Sequence, residues 1–136
     1  MQDKEKDLCV YRMDSALETL GAAKVCMESK HYKDAINRSY YAAFYAIKAV
    51  LAMEGTDFKR HKDVVAYFNK NYVATEIFDK KLGRMLANLQ QIRETSDYDD
   101  FYIASKEDAQ TQCESAENII GAVKKYLDNK YEIQFC

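Results

Sequence analysis

Hydrophobic residues recur along this chain with the spacing of α-helices, and strands have almost no support in the pattern. The first apolar stripe consists of Met13, Ala16, Leu17, Leu20, Ala23 and Met27. After a break at residues 29–31, the second stripe consists of Ile36, Tyr40, Phe44, Ile47 and Leu51, widened on its sides by Tyr41, Ala42, Tyr45 and Ala49. A helix that is apolar on several faces is typically the central one, so we expect this segment inside the fold.

The second half of the chain continues the helical pattern after Gly55, which we expect to end the central helix. A short amphipathic stretch carries His61, Val65, Phe68 and Tyr72, and the weak segment YVATE predicts a bend. The next stripe consists of Phe78, Leu82, Met85, Leu89 and Ile92. The last consists of Ala109, Cys113, Ala116, Ile120, Val123 and Leu127, after a predicted N-cap at Ser105.

These stripes predict an all-α fold, a four-helix up-and-down bundle with a short extra helix before the third long helix. A chain of 136 residues is long enough to bury the core of one domain. We expect residues 1–136 to form this single domain, with a core over about residues 8–127 and a short tail over 128–136. The tail is either frayed or extended along an interface.

Composition narrows the function classes. The formal net charge of −2 gives no overall field that attracts nucleic acid, so RNA binding needs a local basic patch and no DNA binding is predicted. The absence of a long apolar run and of a signal-peptide core predicts a cytoplasmic protein with no membrane partner. Cys9, Cys26, Cys113 and Cys136 form no close pair, which argues against zinc; Cys113 is expected in the core, and Cys136 at the surface or an interface. We predict no metal site and no cofactor.

The stretch IRETSDYDDFY at residues 92–102 carries the clearest candidate chemistry. Arg93 lies at the margin of the third long stripe, where an arginine pairs with a carboxylate or meets an anion. Asp97, one helical turn later, supports the pairing interpretation. The alternative is phosphate binding, because antiparallel neighbouring helices would place Asn37 and Arg38 at the same end of the bundle as Arg93.

Tyrosine is abundant, with 11 residues, and tryptophan is absent. Tyr40, Tyr41 and Tyr45 on one helix fit either a packed core with hydroxyls at polar edges or a platform for stacked nucleobases.

The basic clusters are small. Three basic residues surround His61 and three more lie at residues 80–84, and clusters of this size are usually solvated faces. RNA recognition would require Arg38, Arg84 and Arg93 to converge in one groove, and it would then depend strongly on salt.

Three stretches of the chain resemble the HEPN superfamily: NRSYYAAFYAIKAVL, FKRHKDVVAYF and FDKKLGRMLANLQQIRETSDYDDF. The resemblance is greatest to the small stand-alone bacterial and archaeal proteins of the UPF0332 group, and it covers roughly residues 8–127. Its specific parts are YYAAFYA and the R-x-x-x-D-Y segment. It implies a four-helix up-and-down bundle that is typically a homodimer, in agreement with the periodicity.

The resemblance also implies an activity. Many HEPN proteins are metal-independent ribonucleases whose motif is an arginine followed, after four to six residues, by a histidine, and two motifs face each other across a dimer cleft. Arg93 matches the arginine, which would hold the phosphate and stabilise charge on it during cleavage. Asn37 or Arg38 matches the supporting polar residue of the second helix, with Tyr41 beside them as a further supporting or phosphate-binding residue.

The chain departs from this motif where the histidine is expected. The residue five positions after Arg93 is Tyr98. Tyrosine is a poor general base because its phenol stays protonated near pH 7. Asp97 is the other nearby proton acceptor. The candidate catalytic residues are Arg93, Asp97 and Tyr98. We expect His31 in a solvated turn and His61 as a half-buried structural residue. A simple bundle places His61 at the opposite end from Arg93, unless a bend at YVATE or a partner subunit brings it closer.

Three function classes remain open: a ribonuclease toxin of a toxin–antitoxin or defence system, a non-cleaving module that binds RNA or a nucleotide, and a partner subunit of a minimal nucleotidyltransferase. The resemblance implies the third class because HEPN toxins are often encoded beside such an antitoxin enzyme, which can adenylylate a tyrosine just past the motif. Tyr98 and Tyr102 lie in that region and are the candidate modification sites.

Overall fold

The structure, a computed structural model, describes residues 2–135 of the chain. Its helices are α1 (Gln2–Glu28), α2 (Tyr32–Met53), α3 (His61–Phe68), α4 (Lys80–Tyr98) and α5 (Lys106–Tyr131), and a π-helical segment (Asn69–Val73) continues α3. No strand occurs within residues 2–135, so the all-α prediction is confirmed. Among the helices described, none is long and apolar enough to cross a membrane.

Helix α2 is the centre of the fold, as its wide apolar surface predicts. Thirteen of its 22 residues are buried, and it packs against α1, α3, α4 and α5. Small side chains make this possible, since Ala42, Ala43, Ala46 and Ala49 are fully buried and allow neighbouring helices to approach closely.

Polar contacts link the long helices to one another. Arg12 near the start of α1 donates to the carbonyl of Lys48 near the end of α2 (2.9 Å), so these two helices run antiparallel. Lys24 of α1 pairs with Glu117 of α5 (2.7 Å). The amide of Gln112 in α5 donates to Asn88 of α4 (2.9 Å).

The helix ends follow ordinary capping chemistry. At the turn after α1, Lys30 has a positive φ of 62° and the N–H of His31 donates to the carbonyl of Cys26 (2.8 Å). His31 is exposed, which confirms it as a solvated turn residue. Gly55, just beyond the end of α2, also has a positive φ (70°), and Ser105 accepts a hydrogen bond from the N–H of Asp108 (3.0 Å), as predicted.

The connection at residues 54–60 returns along α2 instead of continuing away from it. Asp57 holds it there, because its carboxylate pairs with Arg12 of α1 (3.1 Å) and Lys48 of α2 (3.5 Å). The ring of Phe58 packs on Tyr67 (5.3 Å between centroids). As a result, α3 begins beside the middle of α2.

The π-helical segment packs against α4 through a very close contact. A Cβ atom on Gly83 would lie 2.9 Å from Cγ1 of Val73, so only glycine fits there without a shift. Residues 72–76 were predicted to bend. The helix that begins with α3 ends in this segment, through the π-helical turn and the turns at residues 74–76.

The core follows the predicted stripes, with small differences. All six predicted residues of α5 are buried, whereas in α4 Leu86 is buried and the predicted Met85 only partly so. Ile133 of the tail is also buried in this core. Cys9, Cys26 and Cys113 are free thiols, and burial raises the pKa of Cys9 to about 11. Cys136, whose placement was left open, lies outside the described residues.

Candidate functional site

Arg93 lies against the aromatic face of α2. The preceding residue, Ile92, packs in a small apolar cluster with Ile36 at the start of α2, which turns Arg93 toward Tyr40. The guanidinium carbon lies 4.6 Å from the centroid of the Tyr40 ring and 5.7 Å from that of Tyr41. The Arg93 side chain is only 13% exposed, so its charge sits over the rings with little freedom to move.

The predicted pair between Arg93 and Asp97 is present. Nη1 of Arg93 donates to Oδ2 of Asp97 at 3.2 Å, and the Asp97 side chain is 28% exposed. Burial disfavours the charge of Arg93, but the Asp97 hydrogen bond and the phenols of Tyr41 and Tyr40 outweigh it and raise the pKa of Arg93. The Nε atom of Arg93 is buried and has no hydrogen-bond partner among the described residues. Pairing with Asp97 therefore leaves part of the guanidinium unsatisfied.

A second guanidinium lies on the same aromatic surface. The Cζ atom of Arg38 is 5.4 Å from the centroid of the Tyr41 ring, the ring that Arg93 also approaches. Asn37 orients Arg38 by accepting hydrogen bonds from Nε (3.1 Å) and Nη2 (2.6 Å) through its amide oxygen. Because this acceptor is neutral, it does not cancel the charge of Arg38.

His61 lies in this site and not at the opposite end of the bundle, so the predicted placement is wrong. Its ring stacks on Phe44 (4.1 Å between centroids), and its Nδ1 lies 3.4 Å from the hydroxyl of Tyr40. The reason is the return of residues 54–60 along α2, which carries the start of α3 back to the level of Tyr40. His61 is half-buried, as predicted. We call the group formed by Asn37, Arg38, Tyr40, Tyr41, His61 and Arg93 the Arg93 cluster.

The electrostatics of the Arg93 cluster favour a neutral histidine among fixed positive charges. Burial first, and then the charges of Arg93 and Lys48, lower the pKa of His61 below its ordinary value of 6.5. Burial raises the pKa of Tyr40 to about 12 against the opposing effect of Arg93, so its phenol stays protonated. Within the cluster, two guanidiniums lie beside one paired carboxylate, that of Asp97, and Glu94 is close enough to act on Tyr40.

The comparisons with known proteins agree with this architecture. A family model described as "HEPN domain" matches residues 10–126. The chain belongs to the HEPN family. A "UPF0332 protein" of Thermotoga maritima is 32% identical over 95% of this chain and 97% of that protein. Two Methanocaldococcus jannaschii proteins are similar: "Putative toxin MJ0142" is 30% identical over 87% of this chain and 80% of its own, and "Putative toxin MJ0605" is 31% identical over 85% of each.

The two tyrosines of this HEPN chain that follow Arg93 lie in different environments. Tyr98 is 79% exposed, and five helical positions turn it about 140° away from Arg93 around α4. Tyr102 donates its hydroxyl to Asp108 (3.0 Å), and burial followed by this hydrogen bond raises its pKa to about 12. The structure therefore does not bring Tyr98 together with Arg93, whereas it does bring Asp97.

Arg84 and the basic residues that neighbour His61 in the HEPN chain do not join the Arg93 cluster. Arg84 is exposed and precedes Arg93 by nine positions, which is about 13 Å along α4 and half a turn around it. Lys59, Arg60 and Lys62 beside His61 are exposed, and Arg60 pairs with Asp63 (2.8 Å). Within residues 2–135, no three side chains of His, Cys, Asp or Glu gather in a metal-binding arrangement.

Four members of the Arg93 cluster, Asn37, Arg38, Tyr41 and Arg93, are site residues that the sequence predicted; Tyr40 was expected in the apolar stripe of its helix, and His61 was misplaced. The apolar stripe of His61, Val65 and Phe68 indicates that the histidine packs inward, and that signal is correct. What the stripe leaves open is the direction of the preceding connection. The pairing of Asp57 with Arg12, 45 positions away, decides that direction, and such a contact has no local signature.

Proposed function

We propose that this HEPN chain is a toxin-like ribonuclease that cleaves single-stranded RNA in the cytoplasm without a metal ion. The observation that carries the proposal is the convergence of the Arg38 and Arg93 guanidiniums on the ring of Tyr41. A phosphodiester offers the oxygens that such donors lack, and held guanidiniums bind it without first losing freedom. The names of the two Methanocaldococcus jannaschii relatives support the toxin-like role.

The aromatic residues give this site a preference for unpaired strands. Tyr41 and Tyr45 are half-buried neighbours on α2, with ring centroids 6.1 Å apart, so part of each side chain reaches the surface. An unstacked base can lie on such a ring, and stacking of this kind is worth about 1–3 kcal/mol per base. Tyr40 is fully buried and supports Arg93 from below instead. RNA would thus lie across Tyr41 with its phosphate between Arg38 and Arg93.

Asp97 competes with the phosphate for Arg93. In the proposed complex, Arg93 keeps this bond through Nη1 and turns its remaining donors to the phosphate. As negative charge grows on the phosphate oxygens, the guanidinium stabilises the transition state more than the ground state. Asp97 positions Arg93 in this proposal, and Tyr98 has no part in the reaction.

The proposed assembly is a homodimer of four-helix up-and-down bundles formed by α1, α2, α4 and α5. Next to the site, residues 98–103 expose three large side chains: Tyr98 at 79%, Phe101 at 92% and Ile103 at 86%. Exposed apolar groups so close together favour a protein interface. A second copy covering them would bring two Arg93 clusters near each other. Sedimentation velocity tests this, and a monomer at concentrations that support cleavage would count against the dimer.

A nucleotidyltransferase antitoxin is the second partner that we propose, acting on the monomer, where Tyr98 is exposed. A tyrosine so accessible suits modification better than Tyr102, whose hydroxyl is engaged by Asp108. An adenylyl group on Tyr98 would add negative charge and bulk to the surface proposed for the second copy, so it would oppose the dimer that brings two Arg93 clusters near each other. Mass spectrometry after co-expression with a neighbouring nucleotidyltransferase checks it, and unmodified protein contradicts it.

Cleavage of end-labelled single-stranded RNA in EDTA tests the function. Wild-type protein is expected to cut, and Arg93→Ala to cut about 10²–10³ times more slowly, because one stabiliser of transition-state charge is lost. Lys125→Ala, which removes an exposed cation far from the cluster, serves as the matched control and should retain the wild-type rate. Equal rates for wild type and Arg93→Ala would refute the site. Binding without cleavage in wild type would instead favour the non-cleaving RNA-binding module.

A further inference from the structure

We infer that His61, supplied by α3 and not by the helix that carries Arg93, takes the proton from the attacking 2′-hydroxyl of RNA. The inference rests on the proposed function and adds the general base that the Arg93 segment lacks. It assigns the missing histidine to a residue 32 positions earlier in the chain, brought into the site by the connection at residues 54–60.

The contacts of His61 place its ring beside the phosphate-binding groups. Tyr40 is the shared element, since its hydroxyl lies 3.4 Å from Nδ1 of His61 and its ring face lies 4.6 Å from Cζ of Arg93. The Tyr41 ring, which both guanidiniums approach, meets the His61 ring edge-on with centroids 5.7 Å apart. A phosphate held by Arg93 over these rings therefore has an imidazole as its neighbour.

The inference assigns the reacting nitrogen as Nε2. It requires the tautomer in which Nδ1–H faces the oxygen of Tyr40 at 3.4 Å, so that the lone pair of the neutral imidazole lies on Nε2. Stacking on Phe44 at 4.1 Å holds the plane of the ring. Tyr40 is a positioning residue in this arrangement, because it fixes the tautomer and the angle of His61 without touching RNA.

The surrounding charges keep His61 unprotonated near neutral pH. The groups that face it are Tyr40, Tyr41 and Lys48 from α2 and Arg93 from α4. On its own helix the nearest carboxylate, Asp63, is paired with Arg60 (2.8 Å). Burial and the two facing cations lower the pKa of His61, so the free base predominates at pH 7.

The reaction step balances without a metal or another reactant. Nε2 of His61 takes the proton of the 2′-hydroxyl while that oxygen attacks the adjacent phosphorus. The bond from phosphorus to the 5′-oxygen breaks, and this oxygen takes a proton from water. The products are a 2′,3′-cyclic phosphate and a 5′-hydroxyl end, and the imidazolium then releases its proton to solvent.

The other candidates for this role are less suitable. Asp97 is engaged by Arg93, and Tyr98 is exposed and turned away from the cluster. His31, the other histidine of the chain, is exposed in the turn between α1 and α2. It is therefore a matched control for His61.

The test compares His61→Ala, His61→Gln and His31→Ala in cleavage, in RNA affinity by fluorescence anisotropy and in thermal unfolding. Both His61 variants are expected to bind RNA within about twofold of wild type and to cleave about 10²–10⁴ times more slowly, while His31→Ala keeps the wild-type rate. Added imidazole should restore part of the cleavage by His61→Ala, because it can occupy the emptied space beside Phe44. A merely structural histidine would not give this rescue.

The pH profile provides an independent readout. Wild-type kcat/KM should rise with pH and level off with a midpoint below 6.5, the direction in which burial, Arg93 and Lys48 move the pKa. Tyr40→Phe should move this midpoint while leaving RNA affinity intact. Cleavage by both His61 variants at the wild-type rate would overturn the inference and leave the proposed function standing. If wild-type protein cuts no RNA, the proposed function fails and this inference fails with it.

Discussion

Aromatic rings and cations meet in two regions of this protein, at opposite ends of α4. One is the Arg93 cluster near the end of the helix. The other, which we call the Tyr126 cleft, is an opening of ≈ 600 Å³ between the start of α4 and the end of α5, lined by Phe78, Leu82 and Tyr126 among others. Lys81, Lys125 and Lys130 stand on its walls.

The cations of the two regions are held differently. In the Arg93 cluster, Asn37 and Asp97 orient guanidiniums that lie on ring faces, and the Arg93 side chain is almost covered. In the Tyr126 cleft the lysines are exposed; Lys130, for example, reaches over the Tyr126 ring at 5.7 Å with its ammonium in water. A cation that is already fixed in place binds an anion with less loss of conformational freedom. The Arg93 cluster is therefore the better candidate for anion binding, although the Tyr126 cleft is a wide opening.

The largest effect that separates the two regions is on stability. Phe78→Ala should lower the free energy of unfolding by about 3–5 kcal/mol, because Phe78 is buried and packs its ring against Phe68 and Tyr126. Tyr41→Ala should cost clearly less, since Tyr41 is half-buried. Urea denaturation of both variants measures the difference. Equal losses would show that the Arg93 cluster is as much a packing element as the cleft.

The next effect is on RNA affinity, and here the substitution in the Arg93 cluster should have the larger effect. Tyr41→Ala should weaken binding of single-stranded RNA about tenfold, because a stacking surface and the support of two guanidiniums are lost. Tyr126→Ala, the matched aromatic change in the cleft, should bind within about twofold of wild type. Fluorescence anisotropy with labelled RNA decides this. The contrast between the regions disappears if Tyr126→Ala proves the weaker binder.

The smallest effect is the pH dependence of stability. Since the pKa of His61 is lower in the folded protein than in the unfolded chain, the unfolded state binds more protons between the two values. His61 should therefore contribute full stability above about pH 6.5 and lose it as the pH falls toward the folded pKa. Thermal unfolding from about pH 7.5 to about pH 5 should show a smaller decline for His61→Gln than for wild type. A decline of the same size in both would mean that another group titrates.

The fold was largely predictable because its decisive signals are local. The wide stripe of α2 and the regular stripe of α5 predict burial directly, and Ser105 predicts the start of α5. Leu86 was missed because the apolar face of α4 is broader than a single file of residues through Met85.

The candidate site was predictable only where helices determine it. Arg38 and Arg93 both reach Tyr41, as expected for antiparallel helices with known rise per residue. His61 was not predictable in this way, since a connection of seven residues can leave or return along the helix before it. Its direction depends on Asp57 meeting Arg12 and Lys48, which are close only once the protein is folded.

The close contact of Gly83 with Val73 connects the two helical segments that carry Arg93 and His61. Gly83 lies ten residues before Arg93 on α4, and the Val73 side chain that it contacts lies twelve residues after His61, on the rod formed by α3 and the π-helical segment. An added methyl group at Gly83 would push α4, which carries Arg93, away from the helical segment that begins with His61. The site thus has a sensitive position remote from the RNA, where a substitution would change the spacing of His61 and Arg93 without altering either residue.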